Sequence, residues 1–476
     1  MQRQETGYVN PMGSKPIPRL LLSLAVPAVI ANVVNALYNI VDQIFIGHRI
    51  GYLGNAATNI AFPLTTICLA IGLMMGLGSA AGFNLELGRQ HPEKSRKYAG
   101  TAFSTLLIAG TVICVLVKIF LRPLMIAFGA TDNILEYAMQ YASITSIGMP
   151  FLMFSMGINP LIRGDGSALY SMMAIVTGAL INVALDALFM YVFDWKIAGA
   201  AWATIIGQFI SALIVARYFT KFRNVRFAAS DFIPRPRYIW RICKLGFASF
   251  VFQSAMVIVQ VTLNNLLRKY GALSEYGSDI TIAVAGILSK VNAIFVAMVI
   301  GVVQGSQPIC SYNYGAQRYT RVRHTITLVL IVTTVLATMI FAAIQLFPRQ
   351  IVGIFGEGSS EYFKFAQKYA RGFTACMFLN GIQVSCSTFF PSIGKAGKGA
   401  IISLSKQLVL LVPLLLILSS LFGLDGVIWA TPITDAGTFL LSVAFLIHEL
   451  KHMPRTDDPL DAPGEKETPP AEEAAV

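Results

Sequence analysis

Charge is scarce in this chain. Only 13% of its 476 residues are Asp, Glu, Lys or Arg, where a soluble globular domain carries about a quarter. With 55% of the residues hydrophobic, the composition argues against a water-soluble fold. Cysteine is sparse and unpatterned. Cys68, Cys114, Cys243, Cys310, Cys376 and Cys386 show no C-x-x-C spacing, so neither a zinc cluster nor a disulfide framework is indicated. The glycine-rich GKAGKG (394–399) lacks the G-x-x-x-x-G-K-[ST] order of a phosphate loop, which excludes a nucleotide-driven pump. A cleaved leader is not indicated either, because the first apolar run, 20–46, is too long for a signal h-region and no small-residue cleavage site follows it.

What the chain does have is long apolar runs. Twelve windows, from 20–46 at one end to 427–449 at the other, each approach or exceed the roughly 20 residues that a helical bilayer crossing takes. A membrane strand needs only about 9 to 11. The expected fold class is therefore all-α, a polytopic membrane protein of twelve transmembrane helices. Counted from an inside start, alternate loops and termini hold 24 basic residues against 7 in the opposite loops. That bias places both termini on the cytoplasmic face of the cell membrane. It also accounts for the net charge of +12 by contact with anionic lipid, with no need for nucleic acid.

The chain repeats itself at an offset of 227 positions. That shift pairs Gly78-Ser79 with Gly305-Ser306, Gly88 and Gln90 with Gly315 and Gln317, Phe128-Gly129 with Phe355-Gly356, and Trp202-Ala203-Thr204 with Trp429-Ala430-Thr431. Six spans per copy is an even number, so the copies share one orientation and are parallel repeats flanking a cleft. The expected organisation is a six-helix lobe over 1–222, a basic, proline-containing cytoplasmic linker over 223–241, a second lobe over 242–453, and a disordered Pro/Ala/Glu-rich tail over 454–476.

Of the acidic residues, only Asp42, Asp186 and Asp435 fall inside spans, where an ionisable group is costly and marks a pathway or coupling site. Asp42 shares a helical face with Asn32, Asn35 and Asn39, and Asp186 lies one turn after Asn182. Span depth brings Asp42, Asn182, Asp186 and Thr204 to one level in the outer half of the first lobe. Two carboxylates with an amide and a hydroxyl suit a small hard cation, which prefers oxygen ligands. They suit equally a proton shared between carboxylates. A static polar cluster between helices is the competing reading. Asn35 and Asn39 are candidate substrate-cavity residues, as are Gln253, Gln260, Asn264, Asn380 and Gln383, the last five on faces that offer amides without an acid unless Asp435 supplies one. Lys290 reads either as an internal counter-ion or as a side chain snorkelling to the interface. Met149, Met153 and Met156 form a stripe typical of packing. HELKH (448–452) matches the H-E-x-x-H zinc pattern, but it closes the last helix with only a short polar tail beyond it, and so reads as a helix end.

The stretches YNIVDQIFIG (38–47), NVALDALFMYVFDWKIAGAAWAT (182–204) and VVQGSQPICSYNYGAQ (302–317) resemble the multidrug and toxic compound extrusion (MATE) family, especially its DinF-like branch. The resemblance implies a V-shaped, monomeric two-lobe antiporter, without a cofactor, that expels organic cations or amphipathic drugs against inward H+ or Na+. It matches Asp42, Asn182, Asp186 and Thr204 to the cation-coupling set and Pro27 to the point where the first helix bends. Two departures stand out: Ala187 replaces the proline many relatives have after the acid, and the seventh span lacks the acid some branches use. A flippase for lipid-linked sugars is the alternative, and it would call for Lys and Arg in the cavity. A membrane protease built on HELKH is the reading from another class.

Overall fold

The computed structural model describes residues 10–130, 132–353 and 360–457. Phe355 and Gly356, one half of a repeat pair, lie outside them. Among the described residues twelve helices are long and apolar enough to cross a membrane: α1 Ile17–Ile50, α2 Leu53–Gly88, α3 Pro92–Ile119, α4 Ile134–Gly164, α5 Ala168–Val192, α6 Lys196–Lys221, α7 Pro236–Ala272, α8 Ile280–Gly315, α9 Tyr319–Leu346, α10 Ser360–Ser392, α11 Ala396–Phe422 and α12 Leu424–His452. Proline opens α3 and α7, where its missing N–H costs no helical hydrogen bond. Gly423, at φ +60°, makes the left-handed turn between α11 and α12.

The repeat is visible in the backbone. Gln90 and Gln317, 227 positions apart, both adopt positive φ, 62° and 57°, just after the paired helices α2 and α8 end. The first lobe's core gathers Phe83, Leu106, Met153, Ile158 and Leu161; the second gathers Leu267, Val284, Phe365, Tyr369 and Val427. One boundary shifts. Ile17, Leu20, Leu21, Leu24 and Ala25 of α1 belong to the second core, although the sequence assigns all of α1 to the first lobe. The cause is contact with α8: a Cβ on Gly301 or Gly305 would fall 2.5 Å from Val29 Cα or 2.6 Å from Ala25 Cα, so the two helices meet backbone to backbone.

The segment joining the lobes is packed, not loose. Phe219, Phe222, Phe227 and Phe232 pack against one another, Phe222 edge-on to Phe227 and Phe227 tilted on Phe232, and meet Phe83 and Phe103 edge-on. Buried Asp165 accepts hydrogen bonds from Tyr218 Oη at 2.7 Å and from the backbone N–H of Arg223 at 2.8 Å. Burial pushes the Asp165 carboxyl above its ordinary value, against these hydrogen bonds. The expected linker is also shorter than 223–241, since α7 begins at Pro236. The tail's first residues are ordered as well: Asp457 Oδ1 accepts the Thr320 N–H at 2.8 Å, supplying a remote cap to α9. Residues beyond Asp457 lie outside the described ones.

At the linker end the lobes touch through glycine. A Cβ on Gly246 would stand 1.8 Å from Met74 O, one on Gly88 2.1 Å from Tyr312 O, and one on Gly315 2.2 Å from Leu85 O. Gln307 Nε2 donates to Leu77 O at 3.1 Å, and Asn32 Nδ2 to Gln304 Oε1 at 3.1 Å. Just inside this seam a cavity of about 90 Å³ lies between the lobes, lined by Leu73 and Leu77 of α2, Phe252 and Gln253 of α7, Gln304 of α8 and Ser403 of α11.

Candidate functional site

Glycine also builds the site in the first lobe. A Cβ on Gly207 of α6 would lie 2.6 Å from Gly178 O of α5, so only bare backbone permits this crossing. One turn from the crossing, Asn182 Nδ2 reaches Thr204 Oγ1 at 3.4 Å, and Thr204 Oγ1 donates to Ala200 O at 3.0 Å. Asp186, the next turn along α5, is fully buried. Asp42 of α1 brings its carboxyl against that of Asp186. The four residues picked from span depth thus meet at one level.

Four oxygens in this group are buried without a hydrogen-bond partner: Asp42 Oδ1, Asn182 Oδ1, and both Asp186 Oδ1 and Oδ2. Buried acceptors left bare are costly, and two facing carboxylates repel when both are ionised. A proton or a small cation satisfies both demands at once. Among the described residues no group of three or more His, Cys, Asp or Glu is placed to hold a metal ion. Immediately beyond the site, α5 passes into a π-helical turn, Leu188–Val192. The irregularity begins directly after Ala187, and such turns are frequent at functional sites.

A cavity of about 40 Å³ opens beside the group, lined by Asn35, Tyr38, Ser155, Met156, Asn182, Thr204 and Gln208 among others. Asn35 therefore lines a cavity, whereas Asn39 is exposed and turns its amide back to Asn35 O at 2.6 Å. Of the methionine stripe, Met149 and Met153 are core while Met156 faces the cavity. Two tyrosines escaped the sequence reading. Tyr38 neighbours Asp42 and Asp186, and Tyr141 of α4 neighbours both and reaches Thr204. Tyr38 carries a signal, its i,i+4 spacing to Asp42; Tyr141 carries none. Pro27 lies within α1, which continues through it as one helix.

The other expected cavity residues divide. Gln253 lines the cavity between the lobes. Gln260 Nε2 donates to Asn264 Oδ1 at 3.0 Å on an exposed face of α7. Asn380 and Gln383 are engaged with Asp435 and Lys406 inside the second lobe, because α10 turns that face toward α11 and α12. Lys290 is exposed. Glu449 of HELKH is 1% exposed and bound by Lys395 and Lys398, so the motif is a helix clamp.

Twelve membrane-length helices in two repeats, with a carboxylate pair and a cavity inside one of them, define a membrane transporter rather than an enzyme. The MatE family model matches residues 27–188 and 254–417, two blocks that begin 227 positions apart. The chain belongs to the MATE family. It is 24% identical to the multidrug export protein MepA of Staphylococcus aureus over 428 residues, 88% of this chain and 91% of that one. With MepA of Staphylococcus saprophyticus it shares 22% over 420 residues, 87% and 90% of the two chains. A solved structure of the MATE multidrug transporter DinF-BH superposes with a TM-score of 0.85 at 31% identity, covering 94% of this chain and 98% of that chain. A crystal structure of MATE in complex with MaL6 superposes at 0.88 with 21% identity over 95% and 100% of the two chains, which shows the shared fold.

Proposed function

We propose that this transporter is a secondary antiporter that exports cationic or amphipathic drugs in exchange for inward H+ or Na+, with Asp42, Asn182, Asp186 and Thr204 as its coupling set. The observation that carries the reading is the group of four buried, partnerless oxygens on Asp42, Asn182 and Asp186. Entry of the coupling ion neutralises the carboxylate pair and removes its repulsion. The α1 face bearing Asp42 then repacks around Pro27, where the helix lacks one backbone hydrogen bond. Cargo and ion can exchange only if each favours a different arrangement of the lobes. The multidrug exporters among the relatives support drug-like cargo, and the carboxylates favour cations. A lipid-linked sugar as cargo finds no support. The protein works without a cofactor, as a monomer in the cell membrane, both termini on the cytoplasmic face; the basic residues concentrated at the linker end support that orientation.

The test is efflux of a cationic dye from vesicles with proton and sodium gradients imposed separately. One gradient drives export in the parent, and D186N or D42N lowers the driven rate at least tenfold. Undiminished gradient-driven export by D186N sinks the coupling assignment.

A further inference from the structure

The second lobe holds a buried ion pair that the coupling scheme does not use. Lys406 Nζ of α11 stands 3.0 Å from Asp435 Oδ1 of α12 and 2.8 Å from Gln383 Oε1, and it also donates to Asn380 Oδ1. The ammonium thus donates to two amide oxygens and is paired in charge with Asp435, whose Oδ1 accepts no hydrogen bond. Asn380 Nδ2 in turn donates to Asp435 Oδ2 at 3.0 Å, and Gln383 Nε2 to Asp435 O at 2.5 Å. All three helices are irregular at this level. A 3-10 turn, Met377–Leu379, breaks α10 just before Asn380, a π-helical stretch, Ser405–Leu411, carries Lys406, and Pro432 precedes Asp435 by one turn.

The repeat gives this arrangement its meaning. Moving back 227 positions, Gln383, Lys406 and Asp435 become Met156, Ala179 and Gln208. All three of those residues line the first-lobe cavity. The place that is open in one lobe is, in the other, walled by the Asp435 carboxylate and the Gln383 amide and filled by a tethered ammonium; Asn380 maps to Met153, a core residue beside that cavity. Where the first lobe has the methyl of Ala179, the second has four methylenes and a charge.

We propose that the second lobe contains a cation site, Asp435 with Asn380 and Gln383, whose resident occupant is the chain's own Lys406 ammonium. The ligand class that fits is a primary alkylammonium, which donates to the two amide oxygens and offsets the charge of the carboxylate. Lys406 thereby closes the second lobe to external cations and leaves the equivalent cavity of the first lobe as the open one. Its side chain is 19% exposed against 2% for Asp435, and Ser403, one turn earlier on α11, lines the cavity between the lobes, so a ligand has a way in.

Lys406→Ala deletes three methylenes and the ammonium, the shape of n-propylammonium. Thermal unfolding of the detergent-purified full chain is measured with propylammonium or with propan-1-ol. K406A is expected to melt below the parent and to gain about 4 °C or more, saturably, with propylammonium. Propanol should leave it unmoved, and the parent and K406A/D435N should respond to neither. If K406A cannot be recovered alone, it is purified in each additive; recovery confined to propylammonium is the same positive result. No response of K406A, an equal response to propanol, an equal response of the parent or of K406A/D435N, or no recovery in either additive overturns the proposal.

Discussion

Lys395 holds Glu449, its Nζ 2.5 Å from Glu449 Oε1, while Lys398 Nζ stands 2.8 Å from Oε2. The stretch that resembles a phosphate loop thus supplies the counter-ions to the stretch that resembles a zinc motif, fastening the end of α12 to the α10–α11 turn. E449Q leaves two lysines facing a neutral amide. Losing one member of a buried pair costs about 3 kcal/mol or more, less here because the lysine side chains are 43% and 29% exposed; about 1–2 kcal/mol is expected. The check is a melting point a few degrees lower, with the zinc content of the purified protein unchanged from the parent's.

Gly246→Val places a side chain where Met74 O already stands, 1.8 Å from the position of a Cβ. Backbone cannot yield as a flexible side chain can, so the lobes are forced apart at the linker end. A folded, monodisperse G246V with dye export reduced at least tenfold is the expected outcome, read in vesicles. Export at the parent's rate would show that this seam need not close during the cycle.

Tyr141→Phe and Tyr38→Phe remove hydroxyls next to the carboxylate pair and keep the ring. Each should lower gradient-driven export by about threefold to tenfold, the scale of one hydrogen bond at about 1 kcal/mol. Melting should stay within about 2 °C of the parent. A loss of stability with no loss of export would reassign both residues to packing.

Asp457→Ala uncaps the first turn of α9. Cap substitutions cost about 1 kcal/mol, and the Asp457 carboxylate is exposed, so a small loss is expected. It should be read as faster hydrogen exchange of the Thr320 amide. An unchanged exchange rate would mean that the remote cap adds nothing in solution.

Much of this architecture could be read from residue order. Long apolar runs defined the spans, the 227-position shift defined the lobes, and the expense of an acid in lipid pointed to Asp42 and Asp186. What escaped was whatever depends on contacts between distant segments. Tyr141 sits alone on its helix face with no pattern to mark it, and Asp435 and Lys406 lie on different helices with no motif joining them. The amides Asn380 and Gln383 were visible as a polar face, but their partners were not, so they read as cavity lining. The phenylalanines of the linker were overlooked because a basic, proline-containing stretch suggests solvent, whereas every fifth residue or so is a large ring packed onto the first lobe.

The division of α1 bears on how such a machine can move. Its opening turns are embedded in one body and its closing turns, with Asp42, in the other, and Pro27 stands close to the changeover. A rod rooted in both halves cannot stay rigid while they rock, so the pivot must lie within the rod itself. Under the proposed coupling, neutralising Asp42 near its far tip would exert a torque on the opposite half, delivered without passing through the connecting segment at all.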